Sequence, residues 1–309
     1  MARRIVKYSG GTGSWGAAKR EAMERGTDGL TLLFTDVLME DGDLYRFLIE
    51  GACNIFGVPA PTQVLQWWAT VPEHHQDKEA RKRGLETLRS DMAEVLPQLV
   101  WISDGRDPWE VYRAERMMIS SRLDPCSKIL KRQLAERWLR GNVDPAETTL
   151  IFGIDWTEIH RFDDGAGSGV LHRWGERGYQ VRAPLCEQPM LSKSDVNRWC
   201  VTEGLRLPRL TADGFAHNNC ATRCGKGGQA HRAHQLRVYP DRYAADEREE
   251  EAFRAEIGKD VAMMSEVVNG EKRPLTLKAL RERIQAGQQI DLFDFGGCGC
   301  FIDDERDAA

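Results

Sequence analysis

The sequence lacks any long apolar run, and no stretch approaches the roughly 20 apolar residues that a membrane-spanning helix needs. It also lacks an excess of one charge, since 43 Lys and Arg accompany 48 Asp and Glu for a net charge of −5. That balance excludes a protein whose whole surface attracts nucleic acid, but it leaves room for a local basic face. The first residues show no signal-peptide pattern. We therefore expect a cytoplasmic protein without a membrane partner.

Cysteine, in contrast, is plentiful, with 8 residues among 309. Disulfides are unusual in a reducing compartment, so the thiols point to metal ligation, catalysis or apolar packing. Cys53 and Cys200 lie among apolar residues at helical spacing and are predicted to belong to the core, whereas Cys186 is not assigned. His74 lies in a polar stretch and is predicted to be solvated.

Strand-like and helical patterns alternate over the first half of the chain. Strands are predicted at residues 4–8, 30–34, 99–102 and 149–154, with helices near 14–26, 43–57, 108–119 and 127–140. This alternation predicts an α/β fold with a mostly parallel sheet flanked by helices. We expect a nucleotide-binding core over residues 1–160 and an irregular, Cys-containing extension of helices and loops over 161–309, packed on that core. Within the extension, Ser192 and Asp195 have capping-box spacing and predict a helix start.

A glycine-rich loop follows the first predicted strand, reading Ser-Gly-Gly-Thr-Gly-Ser-Trp-Gly from Ser9 to Gly16. Free backbone N–H groups before a helix favour an anion, typically a phosphate, and Ser14 is able to cap that helix. A Walker loop is excluded because Ala17, not Lys, follows Gly16. Gly11, Gly13 and Gly16 fit the dinucleotide fingerprint, with Asp36 as the ribose ligand. An ordinary turn and a PP-loop, Ser-Gly-Gly-x-Asp-Ser, are the other interpretations.

Several further segments agree with the PP-loop interpretation. They are Phe-Thr-Asp at 34–36, Asp-Pro-Cys-Ser-Lys-Ile-Leu-Lys-Arg at 124–132, Gly-Ile-Asp-Trp-Thr-Glu at 153–158 with Arg161, and His-Asn-Asn-Cys at 217–220. With these segments the chain resembles the adenine nucleotide α-hydrolase (PP-loop) superfamily, specifically the phosphoadenylyl-sulfate (PAPS) reductase-like group that includes phage-type members. The resemblance covers residues 4–240. It implies a PP-loop, HUP-like fold, ATP or a related adenine nucleotide with Mg²⁺, and cleavage at the α-phosphate.

The predicted nucleotide site combines the loop with residues from these segments. The hydroxyls of Ser9 and Ser14 and the N–H groups of 10–14 are expected to hold a pyrophosphate and to stabilise charge during attack at the α-phosphorus. Asp36 is expected to contact ribose or adenine. The cationic helix face of residues 128–132 suits phosphates, with a solvated surface as the alternative. The full predicted set is Ser9, Gly10, Gly11, Thr12, Gly13, Ser14, Asp36, Lys128, Lys131, Arg132, Gly153, Asp155, Glu158 and Arg161.

The remaining cysteines suggest a metal centre. Cys126, Cys220 and Cys224, together with Cys298 or Cys300, supply the four thiolates that a [4Fe–4S] cluster uses. The resemblance supports a cluster, because sulfur-handling members of the superfamily often carry one. Zinc is the alternative, since His217, His231 and His234 crowd the same region. In a third interpretation, Cys298 and Cys300 are catalytic, redox-active thiols.

These features together predict an enzyme that breaks ATP at the α-phosphate for sulfur transfer or sulfur reduction. Its expected partners are an adenine nucleotide, a sulfur-donor protein, and a tRNA or DNA substrate modified on a base or the backbone. One alternative is reductive cleavage of PAPS or adenylyl sulfate by a C-terminal cysteine. A second is a catalytically silent nucleotide sensor or nucleic-acid-binding protein, which Gly13 in place of the motif's Asp supports. A third is an NAD-binding Rossmann enzyme.

Overall fold

A parallel β-sheet forms the centre of the molecule. The computed structural model describes residues 3–62, 66, 69–119 and 124–296, so Cys298 and Cys300 lie outside the described residues. The sheet has the strand order β3-β2-β1-β4-β5, and every neighbouring pair is parallel. Its strands are β1 (Arg3–Lys7), β2 (Leu30–Asp36), β3 (Leu99–Ser103), β4 (Thr148–Ile151) and β5 (Gln180–Arg182). The predicted α/β class with a parallel sheet is confirmed.

Helices connect these strands and continue after them. They are α1 (Thr12–Arg25), α2 (Gly42–Phe56), α3 (Lys78–Val95), α4 (Pro108–Glu115), α5 (Pro125–Ser127), α6 (Leu134–Asn142), α7 (Ile159–Phe162), α8 (Val170–Gly175), α9 (Lys193–Thr202), α10 (Arg209–Ala212), α11 (Gln229–Val238), α12 (Pro240–Ile257) and α13 (Leu277–Gln285). A π-helical segment, Lys128–Gln133, joins α5 to α6. The predicted capping box at α9 is confirmed, because Ser192 and Asp195 satisfy each other's backbone N–H groups.

The sheet buries both of its faces, as parallel sheets do. On one face Val6 of β1 and Phe34 of β2 pack with α1, α2, α3 and α9. On the other face Ile5 and Leu33, their neighbours in sequence, pack with α6 and α8. Since β5 and α9 both follow residue 160, the extension predicted to begin at 161 includes a strand of the main sheet.

A third apolar cluster is formed mainly by elements outside the sheet. It joins α4, the π-helical segment, α12, α13 and an antiparallel hairpin of β6 (Met264–Val268) and β7 (Glu271–Leu275). Cys220 and Cys224 are buried in this cluster, and Cys126 packs against it. No helix of the described residues is both long and apolar enough to cross a membrane.

The strand order places a topological switch at the middle of the sheet. From β1 the chain proceeds to β2 on one side, while β4 pairs with the other side of β1. In open α/β sheets, ligands bind at the carboxyl ends of strands beside such a switch. The glycine-rich loop leaves β1 at this edge, and residues 152–158 leave β4 beside it.

Candidate nucleotide and thiol sites

The glycine-rich loop presents a helix N-terminus that no side chain caps. Helix α1 begins at Thr12, and its N-cap residue, Gly11, is extended (φ −104°, ψ 162°) and makes no side-chain capping bond. Ser14 therefore lies inside the first turn and does not cap the helix as predicted. Because the first N–H groups of a helix have no acceptor within it, this terminus is suited to an anion. The first turn also contains no acidic residue that would repel one.

Two glycines bring the loop into contact with the chain that leaves β4. A Cβ atom on Gly13 would lie 2.8 Å from the carbonyl oxygen of Gly153, and one on Gly153 would lie 2.5 Å from the backbone nitrogen of Ser14. Both positions therefore exclude a side chain unless the backbone moves. Glycine at position 13, where the PP-loop motif has Asp, thus has a steric reason in this fold.

The two loop serines hold each other across the turn. The Ser14 hydroxyl accepts the Ser9 backbone N–H at 3.1 Å and donates to the Gly11 carbonyl at 2.9 Å. The Ser9 hydroxyl lies 3.3 Å from the Ser14 hydroxyl. Gly10 between them has φ +73°, a left-handed conformation that glycine adopts readily. These bonds shape the loop before any ligand arrives.

A cleft of about 1300 Å³ opens beside this loop. Of the predicted nucleotide site, Ser9, Gly11, Thr12, Gly13, Ser14, Gly153, Asp155, Glu158 and Arg161 line it. The segment 217–219, one of those that carry the resemblance, also lines the cleft. Three segments far apart in sequence therefore converge on one cavity.

Asp36 does not line this cleft. Its carboxylate is 1% exposed and accepts three bonds, from the Leu38 N–H at 2.8 Å, the Tyr45 hydroxyl at 2.8 Å and the Trp101 indole N–H at 3.0 Å. Burial raises the pKa of Asp36, against the effect of these donors. The structure thus places Asp36 inside the core, where it joins β2, α2 and β3.

The predicted cationic helix face is also absent from the lining of the cleft. Lys131 is buried and forms an ion pair with Glu40 at 3.4 Å. Arg132 makes a bidentate pair with Asp124 at 2.9 and 3.1 Å, and Lys128 is exposed. These residues lie on the π-helical segment, which places Lys131 in the wall of a second cavity.

Sequence analysis missed several residues that line the cleft. Lys7, the last residue of β1, is 4% exposed and lies in its wall. Lys193 and the segment 225–228 line it as well. The sequence did offer a reason to single out Lys7, because it is the one charged residue within the apolar run 5–8.

Cys126, Cys220 and Cys224 line one small cavity of about 20 Å³. Cys220 and Cys224 form a sulfur–sulfur hydrogen bond, and this contact together with burial raises the pKa of Cys220. The Tyr112 hydroxyl donates to the sulfur of Cys126 at 3.2 Å. Burial raises the pKa of Cys126 to about 12, so this group is a protonated thiol at neutral pH. Gly225 and Lys226 line both this cavity and the large cleft, so the thiols lie directly behind the cleft wall.

The loop that carries two of these thiols has an unusual backbone. Cys220, Ala221 and Thr222 all have left-handed conformations, with φ of 55°, 50° and 72°. Each such residue other than glycine costs about 1–2 kcal/mol. Surrounding side chains hold the loop in place: Arg242 donates to the Ala221 carbonyl at 3.2 Å, and His231 to the Thr222 carbonyl at 2.7 Å.

A buried polar network extends from this loop. Asp246, which is fully buried, accepts bonds from Arg223 at 2.7 Å and Arg232 at 2.8 Å. His74 is also buried, so the prediction that it is solvated is wrong. Its Nδ1 faces the Arg223 guanidinium at 2.9 Å and its Nε2 faces Asp107 at 3.0 Å. Because arginine only donates, Nδ1 must accept, and His74 is neutral with its proton on Nε2.

This network gives a stability prediction. Burial acts to raise the pKa of Asp246, but Arg223 and Arg232 outweigh it and lower the pKa. Asp246→Asn leaves the two buried guanidiniums without a counter-charge, and we expect a loss of about 3–5 kcal/mol in the free energy of unfolding. The loss should be full above about pH 4 and should shrink at lower pH, as the wild-type carboxylate becomes protonated.

Glu251→Gln on the same helix is the matched control. Glu251 pairs with Lys278 at 3.4 Å with both side chains about half exposed, so this change should cost less than about 1 kcal/mol. Urea unfolding at pH 7 and at pH 3.5 measures both variants. Equal, small losses would show that the buried network does not stabilise the loop.

The other described cysteines lie outside the thiol cavity. Cys53 and Cys200 are buried in the core, as predicted, and Cys186 donates to the Ile154 carbonyl at 3.3 Å. Across the described ranges, no group of three or more His, Cys, Asp or Glu side chains is arranged so that it could hold a metal ion. The described chain ends beside the thiol loop, because Gly296 forms an antiparallel bridge with Gly227.

The chain was also compared with known proteins. Neither protein-family models nor curated protein sequences give a match.

Proposed function

We propose that this protein is a PP-loop enzyme that binds ATP or a related adenine nucleotide and cleaves it at the α-phosphate. The observation that carries the proposal is the uncapped N-terminus of α1, which opens at the switch between β1 and β4 into a cleft of about 1300 Å³. Small-ligand sites usually measure about 300–1000 Å³. The cleft therefore has room for a nucleotide together with part of a second substrate.

The cleft residues suit attack at the α-phosphorus. A substrate oxygen attacks the α-phosphorus, the bond to the β-phosphate oxygen breaks, and pyrophosphate leaves while the substrate carries AMP. The N–H groups of the first turn of α1 and the hydroxyls of Ser9 and Ser14 stabilise charge on the departing phosphates. Asp155 and Glu158 line the same cleft and are the carboxylates that would hold Mg²⁺ there.

The thiol cavity behind the cleft wall supports sulfur chemistry as the second stage. An adenylated oxygen leaves as AMP when a sulfur nucleophile, such as a donor persulfide, attacks the carbon that bears it. Cys126, Cys220 and Cys224 are the thiols that would hold a thiolate-bound metal centre, with Cys298 or Cys300 as the fourth ligand, although the described residues alone do not form a metal-binding group. A cavity of about 20 Å³ has the size of one water molecule or one ion, so a [4Fe–4S] cluster requires the loop to open. Such a cluster supplies electron transfer or bound sulfur, whereas zinc holds the thiolates together.

The position of Asp36 argues against the dinucleotide interpretation. That interpretation needs a carboxylate at the end of β2 to bind ribose hydroxyls. The Asp36 carboxylate instead accepts three bonds inside the core and does not line the cleft. A nicotinamide dinucleotide therefore has no acidic ribose ligand at this position, and for ATP the contact expected from Asp36 is likewise absent, so the proposal rests on the phosphate-binding loop.

Calorimetry with a non-cleavable analogue tests the proposed ligand. We expect α,β-methylene-ATP to bind in the presence of Mg²⁺, pyrophosphate to compete with it, and NADH to have no effect. With ATP itself, the products should be AMP and pyrophosphate. Release of ADP and phosphate, or binding of NADH without binding of ATP, would contradict the proposal.

A further inference from the structure

Lys7 is a buried lysine in the wall of the proposed nucleotide cleft. It ends β1, immediately before the glycine-rich loop, and its side chain is 4% exposed. It shares the cleft wall with Ser9 and residues 11–14. The lysine and the uncapped N-terminus of α1 thus line the same cleft.

Lys7 has no ion pair or hydrogen bond to any residue that the structure describes. Its ammonium lies 5.1 Å from the centroid of the Trp174 ring, a cation–π contact that Arg177 also makes at 5.1 Å. The negative charge of Glu136 on α6 acts to raise the pKa of Lys7. A buried ammonium without a hydrogen-bonded partner is costly, since lysine is almost never fully buried unpaired.

We propose that Lys7 binds a phosphate of the nucleotide and forms one anion site with the N-terminus of α1. This inference rests on the proposed nucleotide site and names the side chain that neutralises the phosphate there. An ammonium contributes a point charge, and the uncapped helix contributes N–H donors and the positive end of its dipole. Together they supply the positive charge that a Walker loop obtains from its own lysine. Here the lysine lies on the strand before the loop.

The electrostatics of Lys7 agree with this role. Burial lowers the pKa of Lys7 to about 7, against the effect of Glu136. A bound phosphate beside the ammonium would raise that pKa again, because an opposite charge favours the charged form. The free protein therefore holds a destabilised lysine that its ligand stabilises, an arrangement typical of binding sites.

Lys7→Met separates binding from folding. Loss of a charged contact to phosphate is worth about 1.5–3 kcal/mol, so pyrophosphate and ATP should bind about 10–150-fold more weakly by calorimetry. The melting temperature of the ligand-free variant should not fall, because a buried charge is replaced by an apolar chain of similar length. Lys7→Arg should recover part of the affinity. A purely structural lysine would give the opposite result, with a lower melting temperature and unchanged affinity.

Lys19→Met is the matched control, a lysine of the helix that follows the glycine-rich loop. Lys19 lies on α1, pairs with Glu203 at 2.8 Å and does not line the cleft, so this variant should bind as the wild type does. If the wild type binds neither pyrophosphate nor ATP, the proposed function fails. If the wild type binds and Lys7→Met binds equally well, only the inference about Lys7 fails.

A measurement on the wild-type protein avoids any folding defect. In protein labelled with ¹³C at lysine Cε, the Lys7 signal should titrate near pH 7 without ligand and at clearly higher pH with saturating pyrophosphate. The signal is assigned by its loss in Lys7→Met or Lys7→Arg. An unchanged titration in the presence of bound pyrophosphate would overturn the inference.

Discussion

Serine in place of Cys220 or Cys224 is expected to lower the metal content of the protein, because both thiols are ligands of the proposed metal centre. Both thiols face one cavity, and Cys126 completes a set of three there. Hydroxyls are poor ligands for the soft metals that thiolates bind, so one substitution breaks the set. Iron, zinc and acid-labile sulfide analysis after anaerobic purification measures the loss, together with absorption near ~400 nm if iron is present. A wild-type protein without metal would contradict the proposed centre.

Cys186→Ser is the matched control. Cys186 lies outside the thiol cavity and donates to the Ile154 carbonyl, a bond that a serine hydroxyl also makes. This variant should retain its full metal content. If it loses metal as Cys220→Ser does, the loss reflects general unfolding, and the assignment of ligands by the shared cavity would be wrong.

Metal binding at this site should also release protons. Burial raises the pKa of Cys126 to about 12, and the pKa of Cys220 is raised as well, so both are thiols before metal arrives. Because ligation requires thiolates, each one bound gives up a proton, and metal affinity should rise with pH. Titration of the metal-free protein at pH 6 and pH 8 checks this direction.

The sheet was predictable from local patterns, because its buried strands are continuous apolar runs. The runs at 30–34 and 99–102 correspond to β2 and β3. In contrast, β5 (Gln180–Arg182) has only three residues, two of them polar, and no local pattern distinguishes it from a loop. The hairpin of β6 and β7 could have been predicted from the Asn-Gly pair at its turn. Asn269 and Gly270 both have positive φ at its turn, which is what an Asn-Gly hairpin turn requires.

The part of the candidate site that a local backbone motif forms was predictable from the sequence. The positions of side chains whose hydrogen-bond partners lie far away in the sequence were not. Ser9 and residues 11–14 of the glycine-rich loop line the cleft, whereas Gly10 does not. The position of Asp36 at the end of a strand predicts a contact with the nucleotide. Its carboxylate instead accepts a hydrogen bond from Trp101, which lies 65 residues away in the sequence. Likewise, Arg223 contacts His74 from 149 residues away, so no local reading of a polar stretch identifies that histidine as buried. Hydrogen-bond partners at such separations follow only from the folded structure.

Aspartate in place of Gly13 is expected to abolish nucleotide binding, although it restores the residue that the PP-loop motif has there. The Cβ atom would lie 2.8 Å from the Gly153 carbonyl oxygen, a backbone atom held by the chain that leaves β4. Overpacking of this kind costs about 1–3 kcal/mol. The new carboxylate would also stand at a helix N-terminus where the phosphates are proposed to bind. Calorimetry with α,β-methylene-ATP and thermal unfolding measure the two effects.

Two alanine variants separate the steric effect from the electrostatic one. Gly13→Ala carries only the clash and should lower the melting temperature about as much as Gly13→Asp, while retaining more affinity. Gly11→Ala is the control, because its Cβ would meet only the Ser9 hydroxyl at 3.7 Å and its backbone is extended, so it should fold normally. If Gly13→Asp instead binds ATP more tightly and releases pyrophosphate faster than the wild type, this protein has lost a functional aspartate at position 13. The protein would then be the catalytically silent sensor that the sequence left open, and the close approach of Gly153 would have no functional meaning.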